Sequence, residues 1–275
     1  MDIAERQKPP PGELYLDHVS HFVPDIGVAA ELLDALGFVV TALSAQRTAA
    51  GPTGSANRCV MLERGYLEFL TPTADPAAVR LACFGTPDAK GEYRRLVAHG
   101  FDPQPVVALE RDVEAGSVRF EVVRVAAARM PEGRVQYVQH FTPELIWRPE
   151  HLRHANSVTG LSAVYVVAED PVAAAARWAR FAGLLPRPAG GAVHLATARG
   201  EVVIGTRDFM VRLLGKAPPA PAIAGYALDC GQPDAFVTRC SQAGVRVRKI
   251  GGHHCAALPE ALGGCWLIGA PPATY

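Results

Sequence analysis

Three things are missing from this sequence: net charge, long apolar runs and paired cysteine motifs. Lys+Arg and Asp+Glu both number 27, so no summed field draws the chain to nucleic acid or to an anionic membrane surface. No apolar run approaches the roughly 20 residues that a membrane-spanning helix requires. The opening MDIAERQKPPPGE has acidic residues and prolines where a secretion signal needs an apolar stretch, so the expectation is a cytoplasmic protein. The six cysteines form no C-x-x-C pair and no zinc-type spacing, and they read as buried small hydrophobes. Cys255 follows His253 and His254, which suggests a soft metal site or a reactive thiol, but a strand running through Gly-Gly-His-His-Cys-Ala accounts for the run without either.

What is present is 49% hydrophobic content over 275 residues, enough for one large domain or two ordinary ones, and a fourfold repeat. A short apolar strand runs into an acidic turn, a helix and a glycine from Asp17, again from Arg80, and more faintly near Glu169-Asp170 and Pro233-Asp234. Pro24 and Pro87 lie 63 residues apart and Glu169 and Pro233 lie 64 apart, so the copies form two matched pairs.

The pattern predicts a strand over residues 14–22, a helix opened by Pro24-Asp25 and stopped by Gly37, and strands over 38–42, 58–62 and 66–70. The same order repeats to residue 141, with strands over 81–84, 105–109, 117–126 and 135–141 and a helix over 88–99. In the second half strands are expected over 161–167, 192–196, 201–206, 223–230, 245–249, 253–256 and 265–268, with helices over 171–181 and 234–242. Residues 1–13, with Pro9, Pro10 and Pro11, read as an extended or disordered arm. The fold class is therefore α+β, four βαβββ units paired into two cupped sheets, with domains at 14–143 and 160–275 and a connector at 144–159.

Asp17-His18-Val19, Pro24-Asp25, Leu36-Gly37-Phe38, Ser55-Ala56-Asn57-Arg58 and Gly65-Tyr66-Leu67-Glu68, in that order and spacing, resemble the vicinal oxygen chelate superfamily and its glyoxalase-like branch. The resemblance covers nearly everything after Leu14, with His154-Ala155-Asn156 adding to it. It implies two glyoxalase-like domains and a divalent metal (Zn, Mn, Fe, Co or Ni) held by residues of first and last strands. His18 falls on the first-strand ligand position and Glu68 on the last-strand one. Laying Thr142-Pro143 on Thr71-Pro72 puts Gln139 where Glu68 stands, as a third, weaker ligand, while the other first-strand position falls on Leu81 or Ala82. In the second half the four positions are Ala163, Val203, Ala227 and Leu267, none of which binds metal, so that half reads as a degenerate copy.

Each polar candidate has a plainer reading beside it. A histidine in a strand is usually hydrogen-bonded core, but a carboxylate in Tyr66-Leu67-Glu68-Phe69-Leu70 needs a partner, and a metal, His18 as a cation or Arg58 are the candidates. Asn57-Arg58 reads either as a carboxylate fork or as a loop anchor beside a solvent-facing arginine. His140 alternates away from Gln139 and lines the site only if a bulge reverses it. His154 on the connector is a lid residue or an anchor, Trp147 is expected to anchor the two halves, and His21 should face away from His18. The leading expectation is a metal-dependent lyase or isomerase with Glu68 or a bound water as its base, acting on a small oxygenated metabolite, as a monomer or homodimer. A metal-free small-molecule binding or resistance protein is the alternative, and an extradiol-type dioxygenase, which resembles the chain in having four units, is the second.

Overall fold

A computed structural model describes residues 2–269 of the chain. The first unit is β1 (Tyr15–Phe22), α1 (Ile26–Ala35), β2 (Ser44–Thr48), β3 (Gly51–Met61) and β4 (Tyr66–Thr71). The second is β5 (Ala78–Gly85), α2 (Ala89–Ala98), β6 (Val107–Val113), β7 (Gly116–Arg124) and β8 (Arg134–His140). The third is β9 (Val158–Val167), α3 (Pro171–Ala182), β10 (Arg187–Ala189), β11 (Ala192–Ala196) and β12 (Glu201–Gly205). An extra helix, α4 (Arg207–Leu214), precedes the fourth: β13 (Ala222–Cys230), α5 (Pro233–Gln242), β14 (Arg246–Ile250), β15 (His253–Ala257) and β16 (Cys265–Gly269). The fourfold βαβββ order of an α+β fold is thus present.

Local chemistry explains the repeated strand-to-helix step. Asp25, Asp88 and Asp170 each accept a backbone N–H from the first turn of the helix that follows, which satisfies donors a helix start leaves free. Gly37, at φ 82°, ends α1 in a left-handed conformation that a side chain would strain. The expected strand at 38–42 is absent because its donors go elsewhere: Val39 N–H to His154 Nδ1 and Thr41 N–H to the Cys59 carbonyl. The strand forms instead over Ser44–Thr48.

In the first half the sheet closes into a barrel, in the order β1-β4-β3-β2-β6-β7-β8-β5. The seam is short, with Gln46 opposite Arg111 and Arg47 opposite Glu110, and Arg47 pairs with both Glu110 and Asp112 across it. The second half is an open eight-stranded sheet whose concave face is covered by α4. Met210 and Leu214 of α4 lie in one apolar cluster with Ala163, Val203, Ala227 and Leu267.

The halves share one core, in which Leu16, Val19 and Phe84 join Trp178, Tyr226 and Trp266. Backbone bonds tie them directly: Leu16 N–H to the Arg199 carbonyl (2.8 Å) and Leu161 N–H to the Arg64 carbonyl (3.0 Å). The N-terminal segment is not a disordered arm. Glu5–Gln7 form a 3-10 turn, and buried Gln7 donates to the Ile3 and Glu63 carbonyls. Ala4 packs with Ile146 and Trp147 of the connector against Cys59, Met61 and Tyr66, closing one end of the barrel. All six cysteines are free and buried, and among the described residues no helix is long and apolar enough to cross a membrane.

Candidate functional site

β1 supplies the first group of polar side chains because it is bulged. Its antiparallel register against β5 shifts between Leu16 and His18, which leaves Asp17 as the extra residue and lets neighbouring side chains meet. The Asp17 carboxylate accepts from His18 Nδ1 at 2.7 Å and from His140 Nε2 at 3.2 Å. Gly65 makes room on the other side: a Cβ there would come within 2.5 Å of the Asp17 carbonyl. Burial alone would raise the Asp17 pKa, but His140 and then His18 overturn that and hold it well below the usual carboxylate range. With Nδ1 engaged by Asp17, His18 turns Nε2 to the cavity, 3.8 Å from Glu68 Oε2, and its ring stacks on Tyr66 at 4.3 Å.

Glu68, on β4, is compensated within the protein. Ser20 donates to Oε2 at 2.5 Å and Asn57 Nδ2 to Oε1 at 2.6 Å. Arg111 Nη1 then donates to Asn57 Oδ1 at 2.8 Å, so a buried guanidinium stands one residue behind the carboxylate. Ser20 and Asn57 are therefore its hydrogen-bond donors, with His18 Nε2 3.8 Å away, and Arg58 is not its partner. Arg58 faces the other side of β3 and donates to the Thr41 carbonyl.

His18, Glu68, Asn57 and His140 thus meet at one cavity of about 210 Å³ inside the barrel, with apolar walls from Leu70, Leu109 and Phe120. Gln139 does not meet them. Its Oε1 accepts the Ala89 N–H at the start of α2, on the outside of the barrel. Strand register shows why: β1–β4 puts Ser20 beside Glu68, β5–β8 puts Cys83 beside Gln136, and Cys83 lies 63 residues after Ser20. Gln136 is therefore the counterpart of Glu68 and lines the cavity, as Leu81, the counterpart of His18, also does. The Thr-Pro match slipped the alignment by three residues, and an odd slip moves a strand side chain to the other face.

His154 also lies away from the cavity. It donates from Nε2 to the Met61 carbonyl (2.7 Å) and accepts the Val39 N–H at Nδ1, and burial lowers its pKa. Trp147 donates to the Leu62 carbonyl and packs among first-half residues, so it fixes the connector to the barrel rather than joining the two halves. Sequence reasoning missed Asp17, Ser20, Arg111 and Gln136. The repeat offset of 63 would have indicated Ser20 and Cys83 as a pair, but nothing in the sequence announces the bulge at Asp17.

A divalent ion is the group this fold leads one to test for. Asp17, His18 and Cys83 bring donor atoms within 4.8 Å of one another. Asp17 is already taken by two imidazoles, however, and burial pushes the Cys83 thiol well above its ordinary pKa, so it stays protonated and a poor ligand. The better-fitting donors face the cavity: His18 Nε2, oriented by the carboxylate behind its ring, and Glu68 Oε2. The Gln136 amide oxygen, which also accepts from Arg124 Nε at 3.2 Å, is the third polar atom on that wall.

Comparison with known proteins agrees with this geometry. A model of the glyoxalase-like domain matches residues 16–182, more than half of the chain, from β1 through α3. Among curated proteins none matches the sequence. A solved hypothetical protein from Staphylococcus aureus superposes with a TM-score of 0.64 at 10% identity, covering 94% of this chain and 99% of that one. The halotolerant catechol dioxygenase BphC gives 0.56 at 11% identity, covering 93% and 86%. A fusion of a xylose isomerase-like TIM barrel with 4-hydroxyphenylpyruvate dioxygenase gives 0.57 at 12% identity, covering 98% of this chain and 51% of that one. At such identities the three likenesses concern the fold. The family match, the paired βαβββ units and the His18–Glu68 cavity together make this chain a member of the glyoxalase-like domain family, within the vicinal oxygen chelate superfamily.

Proposed function

We propose that the protein is a metal-dependent lyase or isomerase acting on a small oxygenated metabolite bound in the barrel cavity. The observation that carries this reading is the orientation of His18: Nδ1 is spent on Asp17, so Nε2 is offered to the cavity beside Glu68. When bound there, a divalent ion (Zn, Mn, Fe, Co or Ni) supplies Lewis-acid polarisation of a substrate oxygen. His18 and Glu68 would hold it, with Gln136 as the third donor. Ser20 and Asn57 fix the Glu68 carboxylate with Oε2 on the His18 side, the position from which it would hold the ion. The connector and Ala4 shut the barrel behind Tyr66, which keeps bulk water from that end.

A metal-free binding protein is the second reading. Its support is that Glu68 is satisfied by Ser20 and by the Asn57–Arg111 chain, and that Leu81 stands at the fourth position. The dioxygenase reading has no comparable support, because the four positions in the second half are apolar and sit under α4. Elemental analysis of protein purified without chelator or affinity-tag nickel decides between the first two. One equivalent of metal, lost in both His18→Ala and Glu68→Ala, is expected. No metal in the unaltered protein, and a melting temperature unmoved by Zn, Mn, Fe or Ni, would sink the enzyme reading and leave the binding one.

A further inference from the structure

The cavity is more cationic than its chemistry at the His18–Glu68 wall requires. Three arginines, Arg111, Arg124 and Arg134, line it against one carboxylate, Glu68. Arg111 is committed to Asn57. The other two sit where the inner cavity meets a second, larger space of about 910 Å³ between the barrel and the 218–223 segment of the other half. Both line both spaces, so they form the neck between them.

The charges of the outer groove are otherwise matched. Asp75 stands 3.7 Å from Arg80, and Glu132 pairs with Arg177 and accepts from Trp178. Among the described residues neither Arg124 nor Arg134 makes an ion pair. Arg124 spends only Nε, on Gln136, and Arg134 lies over the Phe22 ring at 5.3 Å. Two guanidinium groups at one neck with no ion-pair partner repel each other. A planar anion with two acceptor oxygens relieves that repulsion and matches the guanidinium fork.

We infer that the ligand carries a carboxylate, received by Arg124 and Arg134 at the neck, while its oxygenated end reaches inward toward His18 and Glu68. This rests on the barrel cavity being the binding site and names the class of molecule it takes. It also sets the direction of binding: the charged end faces the groove and the reacting end the closed floor.

The test is calorimetric titration of 4-hydroxybutyrate and of its neutral amide into chelator-treated protein, so that neither metal nor turnover enters the readout. The acid is expected to bind at least about tenfold more tightly than the amide, a preference that shrinks as salt is raised. In Arg124→Met and Arg134→Met the acid is expected to lose that advantage while the amide changes little. Arg134 is exposed at the rim, so its variant keeps the fold and the prediction is readable there even if Arg124→Met does not fold. Equal binding of acid and amide, no binding of either at millimolar concentration, or an unchanged acid-to-amide ratio in the Arg134 variant would overturn the inference. Absence of metal from the purified protein would instead count against the enzyme reading alone.

Discussion

At Glu68 a carboxylate is only 6% exposed, and its oxygens are satisfied by donors arranged in series: Ser20 and Asn57 touch it, and Arg111 touches Asn57. Removing a link leaves a buried acceptor unpaired, which costs about 1–3 kcal/mol. Asn57→Ala removes two links at once, from Glu68 and to Arg111, and is expected to lower the unfolding free energy by about 2–4 kcal/mol in urea titrations. Arg58→Ala, which gives up a bond to the Thr41 carbonyl, should cost about 1 kcal/mol or less. Similar losses in the two variants would refute this account of Glu68. The Asn57-Arg58 pair was visible in the sequence, and so was the need for a partner to Glu68. Which of two adjacent residues faces inward was not, because it depends on where the β3 register falls.

The repeated strand, helix and glycine were legible because each rests on local chemistry that recurs from copy to copy, with an aspartate cap in the first three and Gln232, which makes no side-chain cap bond, in the fourth. Two elements escaped that logic. The stretch from β5 to β8 is longer than its counterpart, so the Thr-Pro match that selected Gln139 was out of phase with the strands. Helix α4 lies between two repeats, where no earlier copy predicted it, although Thr206 caps it through the Phe209 N–H. Its role is to fill the second cup: Met210 is fully buried there and Leu214 nearly so. Met210→Ala is expected to destabilise by about 2–5 kcal/mol and to open an apolar cavity, detectable as xenon or benzene binding in a crystal or by thermal shift. If the variant melts like the unaltered protein and binds neither probe, α4 is a cover laid over an already filled sheet rather than its filling.

Between the two halves His21 ties the barrel to the open sheet. Its Nδ1 donates to the Leu262 carbonyl at 2.9 Å, its Nε2 accepts from the Tyr226 hydroxyl at 2.8 Å, and its ring stacks on Phe69. It faces away from His18, as strand alternation requires, but its partners come from the second half. Burial lowers its pKa to about 4, outweighing the bond to Leu262, so the folded protein holds it neutral. The unfolded chain takes up the proton near pH 6.5, before the folded one does, and the linkage sign follows. The stability that His21 contributes is full above pH 6.5 and is lost as the pH falls from there toward 4. The loss between pH 7 and pH 5 should be about 2 kcal/mol, with His154 adding in the same direction. Urea midpoints measured across that range would show it as a slope, and His21→Asn, although less stable throughout, should flatten that slope because no proton is taken up at the position. Because the two halves share one core, the loss should appear in a single transition reported alike by fluorescence and circular dichroism. Equal slopes in the two proteins would mean that the acid sensitivity arises elsewhere, while two separate transitions would mean that the contact at His21 does not bind the halves into one cooperative unit.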